Sequence, residues 1–339
     1  MRPNVRRRLT LLAKLAVLAL VVWGGQRSVS TAMADLKGNG WHLSQLQPAW
    51  AVLAGVLYLI SQLPSGWFWR GILAALGQTV GLARALRAYY IGHLGKYVPG
   101  KAMVVVLRAA LVGQPHVKTS MAVVAVFYET FTTMAVGAVL AALILVCTHR
   151  EHAWLIAGSL ALACVVGVPT FPPVFVRLLR LMRMTPATSV AVGAPDESVE
   201  IKVADSLPAT AAAFSHWRLL ARGWLTIAVG WIFAGASLWA TLRAIGVENS
   251  ELLADLSLCT ATVALAVVLG FVSMLPAGVG VRDLALMQLL APRLEQLAPD
   301  RGQLLAMIAV VVLRLIWLAA EGVLAVAIYP FGRHVNKAA

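Results

Sequence analysis

Long apolar stretches recur along this chain, and short segments rich in arginine and lysine separate them. The run from Thr119 to Cys147 is long enough to cross a bilayer and contains a single charged side chain, Glu129. Of the 339 residues, 60% are hydrophobic and 12% are charged, whereas water-soluble domains carry about twice that charged fraction. Because the bilayer core offers no water to unpaired backbone groups, runs of this length favour spanning helices. The sequence therefore predicts an all-α, polytopic membrane protein.

The net charge of +14 comes mostly from basic residues between the apolar runs, such as Arg6, Arg84 and Arg177. This placement is typical of the positive-inside rule, and the chain lacks the basic, aromatic-interleaved segments of nucleic-acid binders. We therefore expect membrane lipids with anionic or isoprenoid-linked headgroups as partners, and no nucleic acid. The three cysteines lie in apolar segments without CxxC spacing, so neither a disulfide framework nor a metal site is expected. No cofactor is implied.

The order of the runs divides the chain into five parts. Residues 1–48 are expected to form a first transmembrane helix and an outer loop, although Ala32-Met33-Ala34 also fits a signal-peptide cleavage site. The later parts are a first repeat with a connecting span (49–183), a cytoplasmic linker (184–222), a second repeat (223–330) and a basic cytoplasmic tail (331–339). We expect a multi-pass protein of the plasma (inner) membrane with both termini in the cytoplasm.

Two stretches interrupt apolar segments with proline and glycine beside charge. They are Tyr97-Val98-Pro99-Gly100-Lys101, which precedes Arg108, and Leu275-Pro276-Ala277-Gly278-Val279-Gly280-Val281-Arg282-Asp283. Proline removes a backbone donor, so a continuous spanning helix here would carry unsatisfied polar groups unless protein or water met them. We therefore predict two re-entrant, broken-helix hairpins, over residues 71–118 and 252–301, whose breaks line a polar cavity.

The two halves of the chain resemble each other as an inverted-topology repeat. Each half consists of a span, a pair of helices interrupted by proline and glycine, and a span that contains charged residues, and the second half begins on the opposite side of the membrane. Leu73-Ala-Ala-Leu-Gly77 resembles Leu242-Arg-Ala-Ile-Gly246, and matching Met121 with Met307 places Glu129 beside Arg314. Inverted repeats whose broken helices meet near the midplane are a recurrent plan of secondary transporters.

At these breaks the sequence resembles the lysylphosphatidylglycerol synthase/flippase transmembrane-domain family. The resemblance rests on Tyr-Val-Pro-Gly-Lys with Arg108 and Glu129, and on Leu-Pro-Ala-Gly-Val-Gly-Val-Arg-Asp, and it covers Leu9 to Tyr329. The family usually has Arg-Glu where this chain has Arg282-Asp283, so the carboxylate is kept on a shorter side chain. The aminoacyl-transferase domain of the full synthases has no counterpart in this sequence. The resemblance therefore implies lipid translocation and not aminoacylation.

The candidate substrate-binding residues belong to the two breaks and to the charged positions of nearby spans: Tyr97, Pro99, Gly100, Lys101, Arg108, Glu129, Pro276, Gly278, Gly280, Arg282, Asp283, Arg314 and Glu321. Lys101 and Arg108 are expected to bind a lipid phosphate, or else to snorkel to the headgroups or to neutralise Glu129. The carboxylates balance charge or bind a cationic headgroup. Because Arg314 and Glu321 are seven residues apart on one helical face, they are either substrate ligands or partners of each other.

The sequence therefore predicts an integral membrane lipid transporter, a flippase that moves a phospholipid or an isoprenoid-linked lipid between leaflets. The alternative is a membrane-embedded subunit that presents a lipid to a glycosyltransferase or aminoacyltransferase. We expect no catalytic residues, because the HExxH and GxGD motifs of intramembrane proteases are absent. Glu248, Glu251 and Asp255 follow the first span of the second repeat without compensating basic residues, as expected of an outer loop. The lipid, the energy source and the oligomeric state stay open.

Overall fold

A computed structural model describes residues 30, 41–97, 102–112, 117–148, 153–182, 217–248, 251–273 and 280–328. Within these ranges the chain forms helices and turns and no strand, so the all-α prediction is confirmed. The helices are α1 (Pro48–Ala75), α2 (Leu82–His93), α3 (Ala102–Val112), α4 (Thr119–Thr148), α5 (Ala153–Gly167), α6 (Pro172–Met182), α7 (Trp217–Ala244), α8 (Leu252–Val272), α9 (Val281–Leu297) and α10 (Gly302–Ile328). Short 3-10 turns at Leu43–Gln45, Leu94–Tyr97 and Val168–Thr170 complete the described elements.

Five of these helices, α1, α4, α7, α8 and α10, are long and apolar enough to cross a membrane. Their presence confirms a multi-pass membrane fold. Helix α5 has 15 residues, which is fewer than the about 20 that a bilayer core requires. The connecting span predicted at the end of residues 49–183 is therefore not among the five long helices.

Helices α1 and α7 form the centre of the bundle and run antiparallel. Three contacts along the pair are Ala54 with Ser237, Ser61 with Gly230, and Phe68 with Gly223. The Ser237 hydroxyl donates to the carbonyl of Ala54 at 2.8 Å. A Cβ at Gly230 would lie 2.7 Å from the Ser61 carbonyl oxygen, so only glycine allows the two backbones to approach this closely.

The same two helices end in the same way. Gly77 and Gly246 have φ values of +74° and +87°, the left-handed conformation that closes many helices. The amide of the residue after each glycine donates back across the turn, from Gln78 to the Leu73 carbonyl at 2.8 Å and from Val247 to the Leu242 carbonyl at 3.0 Å. The resemblance between the sequences at Leu73 and Leu242 therefore corresponds to one shared helix cap.

When the sequences of α1 and α7 are aligned so that Gly77 matches Gly246, Ala54 matches Gly223 and Phe68 matches Ser237. The contact between Ala54 and Ser237 then corresponds to the contact between Phe68 and Gly223, and Ser61 aligns with its own partner, Gly230. Reciprocal contacts of this kind are typical of a two-fold relation. The antiparallel packing of α1 and α7 is what two inverted repeats require.

Each half also contains a helical hairpin, formed by α2 with α3 and by α8 with α9. Gly66 of α1 lets Tyr89 of α2 approach, and Gly235 of α7 lets Thr260 of α8 approach, so both hairpins pack on the central pair through glycine. Re-entry of either hairpin from one membrane face stays a prediction.

Two predicted boundaries differ from the observed helices. The first hairpin does not begin at residue 71, because α1 continues to Ala75 and α2 begins at Leu82. The linker predicted to end at residue 222 overlaps α7, which begins at Trp217. In the first place the charge of Arg70 gave the end of a long helix the appearance of a polar boundary. Residues 1–29, 31–40, 183–216 and 329–339, which hold the predicted first span, most of the linker and the tail, lie outside the described ranges.

Candidate functional site

The structure describes eight of the candidate site residues: Tyr97, Arg108, Glu129, Gly280, Arg282, Asp283, Arg314 and Glu321. The other candidates, Pro99, Gly100, Lys101, Pro276 and Gly278, lie outside the described ranges. The eight residues form two separate groups, each built around charged side chains, and one group is buried whereas the other is partly exposed.

The buried group joins the first hairpin to α4. Arg108 of α3 donates from Nη1 to Oε2 of Glu129 at 2.7 Å, and the two side chains are only 3% and 2% exposed. Glu129 lies ten residues into α4, about 15 Å along its axis. The charge partner that the sequence required for Glu129 is therefore Arg108.

Hydroxyl groups and an aromatic ring complete this ion pair. Tyr89 and Thr133 each donate a hydroxyl hydrogen bond of 3.1 Å to Oε1 of Glu129. The guanidinium of Arg108 lies 3.8 Å from the centre of the Tyr89 ring, a favourable cation–π distance. Gly92 makes room for this arrangement, because a Cβ there would lie 3.2 Å from the backbone nitrogen of Arg108.

The second group is centred on Glu321 of α10. Its carboxylate accepts hydrogen bonds from Lys96 Nζ at 2.5 Å and from the Tyr97 hydroxyl at 2.9 Å, both in the 3-10 turn that follows α2. The Tyr58 hydroxyl of α1 also donates to it, and Nε2 of His93 lies 3.8 Å away. A buried carboxylate on one span thus holds the tip of the first hairpin.

The second hairpin contributes the other part of this group. Asp283, in the first turn of α9, forms ion pairs with Arg282 at 3.2 Å and with Arg314 of α10. The same carboxylate accepts a hydrogen bond of 3.1 Å from the amide of Gly280, which caps the start of α9 and requires the left-handed conformation of Gly280, with a φ of +86°.

Trp317 connects the two parts. Its ring stacks on Tyr58 with the centroids 4.3 Å apart, and the guanidinium of Arg282 lies 6.0 Å from the Trp317 ring. Arg282 is also close enough to Glu321 and Tyr97 to interact with them electrostatically. We call the whole group the hairpin cluster, which consists of Lys96, Tyr97, Arg282, Asp283, Arg314 and Glu321.

The hairpin cluster is more accessible than the ion pair of Arg108. The side chain of Lys96 is 20% exposed, and those of Arg282, Asp283 and Arg314 are 12% to 14% exposed. A polar ligand would therefore reach the hairpin cluster before it reached Glu129. The accessible part of the site is the place where residues from both hairpins meet α10.

One alternative from the sequence finds no support. Arg314 and Glu321 share a helix, but the ion pairs made by the two side chains go to different hairpins, from Arg314 to Asp283 and from Glu321 to Lys96. The spacing of seven residues placed both side chains on one face of the helix. It carried no information on which hairpin each would meet.

Sequence reasoning missed several members of the site, namely Tyr58, Tyr89, Lys96 and Trp317. Lys96 directly precedes the first break, but a lone basic residue there resembles the others that follow the positive-inside rule. The two tyrosines and the tryptophan have the appearance, in the sequence, of ordinary apolar residues of a span. Position next to the Tyr97 break was the one signal that pointed to Lys96.

A further ion pair lies at the start of α8. Asp255 is buried within the first turn of α8, and Arg293 of α9 donates to it from Nε at 2.9 Å. Arg293 also lies 3.8 Å from Glu251. The two carboxylates have no basic residue near them in the sequence, and their partner lies 38 residues beyond Asp255 along the chain and reaches them through the hairpin.

The helices and their buried charges define a polytopic, all-helical membrane protein with charged groups gathered where two helical hairpins meet a span. Residues 11–320 match the family described as the lysylphosphatidylglycerol synthase TM region. The chain therefore belongs to this family and is an integral membrane protein with a lipid-related function. The matched region is the non-catalytic part of such proteins. No curated protein is similar enough to this chain to count as a match.

Proposed function

We propose that this protein moves a lipid between the two leaflets of the membrane and binds the lipid headgroup at the hairpin cluster. One observation carries the proposal: a charged side chain from each hairpin, Lys96 of the first and Asp283 of the second, forms an ion pair with a charged residue of the apolar helix α10, Glu321 and Arg314 respectively. The lipid is a phospholipid or an isoprenoid-linked lipid, and the protein has no enzymatic activity of its own.

The energetic cost of the hairpin cluster supports a functional role. A charged side chain at the centre of a spanning helix costs about 2.5 to 3.5 kcal/mol on insertion scales. Well-packed apolar residues often replace a buried ion pair with no loss of stability. Five charged groups held together inside the bundle are therefore expensive as structural elements, whereas a polar headgroup that crosses a bilayer needs such groups along its path.

The arrangement also supports an alternating-access mechanism. Broken helices that meet between inverted repeats are the usual substrate sites of secondary transporters. A lipid phosphate entering the hairpin cluster would bind Arg282 and Lys96, with the Tyr97 hydroxyl as a further donor. Glu321 and Asp283 would then balance the remaining positive charge. Movement of one hairpin relative to α10 would open the site first to one leaflet and then to the other.

The ion pair of Arg108 and Glu129 has a different role in this mechanism. It is almost completely buried, and each charge already has its counterpart. We assign it to fixing the first hairpin against α4, which favours neutralisation of Glu129 over phosphate binding by Arg108. A rigid attachment of this kind gives the moving parts a fixed support.

Exposed basic residues on both sides of the undescribed segment 183–216 support an inner-membrane location with this segment in the cytoplasm. Arg177 of α6 and Arg218 and Arg222 of α7 are exposed, and basic residues near the ends of spans are retained on the cytoplasmic side. We propose that both termini of the chain lie on that same side.

Leaflet exchange tests the function. The purified protein is reconstituted into liposomes that contain tail-labelled fluorescent phospholipids, and dithionite reduces the label in the outer leaflet only. We expect the fraction of reduced label to rise above the half seen in protein-free vesicles. Absence of protein-dependent exchange with every phospholipid and isoprenoid-linked lipid tested, from folded protein, would refute the proposal. Stable co-purification with a glycosyltransferase or aminoacyltransferase, in that case, would favour the lipid-presenting alternative.

A further inference from the structure

Helix α6 begins where the chain has covered about the thickness of a bilayer core. Helix α5 has 15 residues, and the 3-10 turn Val168–Thr170 adds three more. At the usual rise per residue of the two helix types, these segments together measure about 28 Å. The hydrocarbon core of a membrane is about 30 Å thick. A chain that enters the core at the start of α5 therefore reaches the opposite headgroups at α6.

The backbone turns between the two helices. Phe171 is extended, with φ −66° and ψ 129°, as a residue before proline prefers. Pro172 and Pro173 then begin α6, a position that tolerates proline because the first amides of a helix have no intrahelical partner. Because an extended residue separates them, α6 does not continue the axis of α5.

The exposed side chains of this region change character along the chain. Those of α5 and the 3-10 turn include three large apolar residues: Leu160, Val165 and Val168. Phe171 follows and is 52% exposed, and Arg177 of α6 is exposed as well. Apolar residues in the core, aromatic residues at the interface and basic residues next to it are the usual order in a membrane protein. The change from apolar to basic occurs at the start of α6.

Helix α6 has an apolar side and a basic side. Its apolar side follows the spacing of three and four residues that one helical face requires: Phe175, Leu178, Leu179 and Met182. Arg177 comes two positions after Phe175, about 200° around the helix, and Arg180 is three positions further on. A helix with these two sides is typical of segments that lie in the membrane interface.

Tyr128 of α4 holds the apolar side of α6 against the bundle. Phe175 is only 1% exposed, and its ring meets the Tyr128 ring edge to face with the centroids 4.8 Å apart. The Tyr128 hydroxyl also donates to the carbonyl of Thr170 at 3.2 Å. Because Phe175 faces the bundle, the basic side of α6 faces away from it.

We infer that α6 lies among the lipid headgroups and binds anionic phospholipids through Arg177 and Arg180. This surface is formed by other residues than the hairpin cluster, and the inference does not depend on lipid movement. The planar fork of arginine fits phosphate oxygens, and each arginine next to an anionic membrane surface strengthens binding about fivefold. Lipids bound here hold the end of α5 at the interface, which compensates for the small length of this helix.

Fluorescence quenching by labelled lipids tests the inference in the whole protein. The exposed Pro173, one turn before Arg177, is changed in Pro173→Cys, in a chain whose three native cysteines are replaced by alanine. The new thiol is labelled with bimane, and the protein is reconstituted into vesicles. The quenchers are phosphatidylglycerol and phosphatidylcholine that carry a nitroxide either near the headgroup or near the end of one chain.

We expect a nitroxide near the headgroup to quench more strongly than one near the chain end. Phosphatidylglycerol should quench at a mole fraction at least about fivefold below that of phosphatidylcholine. If Pro173→Cys lowers the yield of folded protein, the label is placed at the half-buried Val176 instead, with the same expectations.

Arginine variants separate binding at α6 from general attraction to a basic protein. Arg177→Gln should lower the preference for phosphatidylglycerol about fivefold, and Arg177→Gln/Arg180→Gln should abolish it. The matched control Arg301→Gln removes an exposed arginine at the turn before α10, and it should leave the preference unchanged.

Several results would overturn the inference. Stronger quenching from the chain end would place α6 inside the hydrocarbon core, and absence of quenching by every lipid would place it in water or against protein. Equal quenching by the two headgroups, or equal losses in Arg177→Gln and Arg301→Gln, would exclude binding of anionic lipids by α6. Failure of leaflet exchange with the headgroup preference at α6 intact would refute transport alone.

Discussion

Loss of the carboxylate at Glu129 should strongly destabilise the protein. Glu129→Ala leaves the guanidinium of Arg108 3% exposed and without a counter-charge. Arginine cannot lose its proton in a protein, so the charge stays in the bundle. Removing one partner of a buried ion pair costs about 3 to 5 kcal/mol. We expect a loss of stability in this range for Glu129→Ala.

Removal of the other partner, in Arg108→Met, should lower the stability less than Glu129→Ala does. Arg108→Met leaves Glu129 with hydrogen bonds from Tyr89 and Thr133, both at 3.1 Å, and a carboxylate can also take up a proton. The double variant Arg108→Met/Glu129→Leu removes both charges and keeps similar volumes. Since apolar replacement of a buried pair is often neutral or stabilising, its stability should be close to that of the wild type.

Denaturant-induced unfolding in detergent micelles provides the measurement, with tryptophan fluorescence as the signal and all the proteins studied at one lipid-to-detergent ratio. Glu251→Ala is the matched control, because Glu251 is 67% exposed and 3.8 Å from Arg293, and exposed pairs contribute only about 0 to 1 kcal/mol. A cost for Glu129→Ala no larger than that of Glu251→Ala would contradict our reasoning. So would a double variant that is as unstable as Glu129→Ala.

Two further predictions concern how the second hairpin is held. Gly235→Ala should lower stability by about 1 to 3 kcal/mol through overpacking, because its methyl group would lie 2.5 Å from the Thr260 Cα. Gly158→Ala, which has open space around it, should leave the stability unchanged, and equal thermal midpoints of the two variants would refute close helix packing at Gly235. Asp255→Ala should lower the stability by about 1 to 3 kcal/mol, as for a buried hydrogen bond to a charged group, because Arg293 loses its partner at 2.9 Å. An unchanged thermal midpoint would show that this ion pair does not stabilise the hairpin.

The five long helices could be predicted from the sequence because apolar length is a local property. The run from Thr119 to Cys147 coincides almost exactly with α4, which ends one residue later. The match between the Leu73 and Leu242 segments also predicted a real structural correspondence, since the positive φ of Gly77 and Gly246 is required at each cap. Local backbone chemistry was sufficient in these places.

The partners of the charged residues could be predicted only in part. The need of an isolated intramembrane carboxylate for a cation predicted that Glu129 has a partner, and Arg108 was one of the alternatives that the sequence left open for it. The contact of Tyr58 with Glu321 joins residues 263 positions apart, and no local pattern encodes it. Lys96 was missed because its charge has the same appearance in sequence whether it faces headgroups or a buried carboxylate.

The initial rate of leaflet exchange in Glu321→Gln tests the central claim most directly. Glu321 joins Lys96 and Tyr97 of the first hairpin to α10, so the neutral amide should disrupt the hairpin cluster while it keeps the shape of the side chain. We predict a rate at least about tenfold below that of the wild type, from the loss of a charged hydrogen bond, and a normal rate in Glu248→Gln, which alters an exposed carboxylate. Equal rates in wild type and Glu321→Gln, from equally folded protein, would contradict a role of the hairpin cluster in lipid movement.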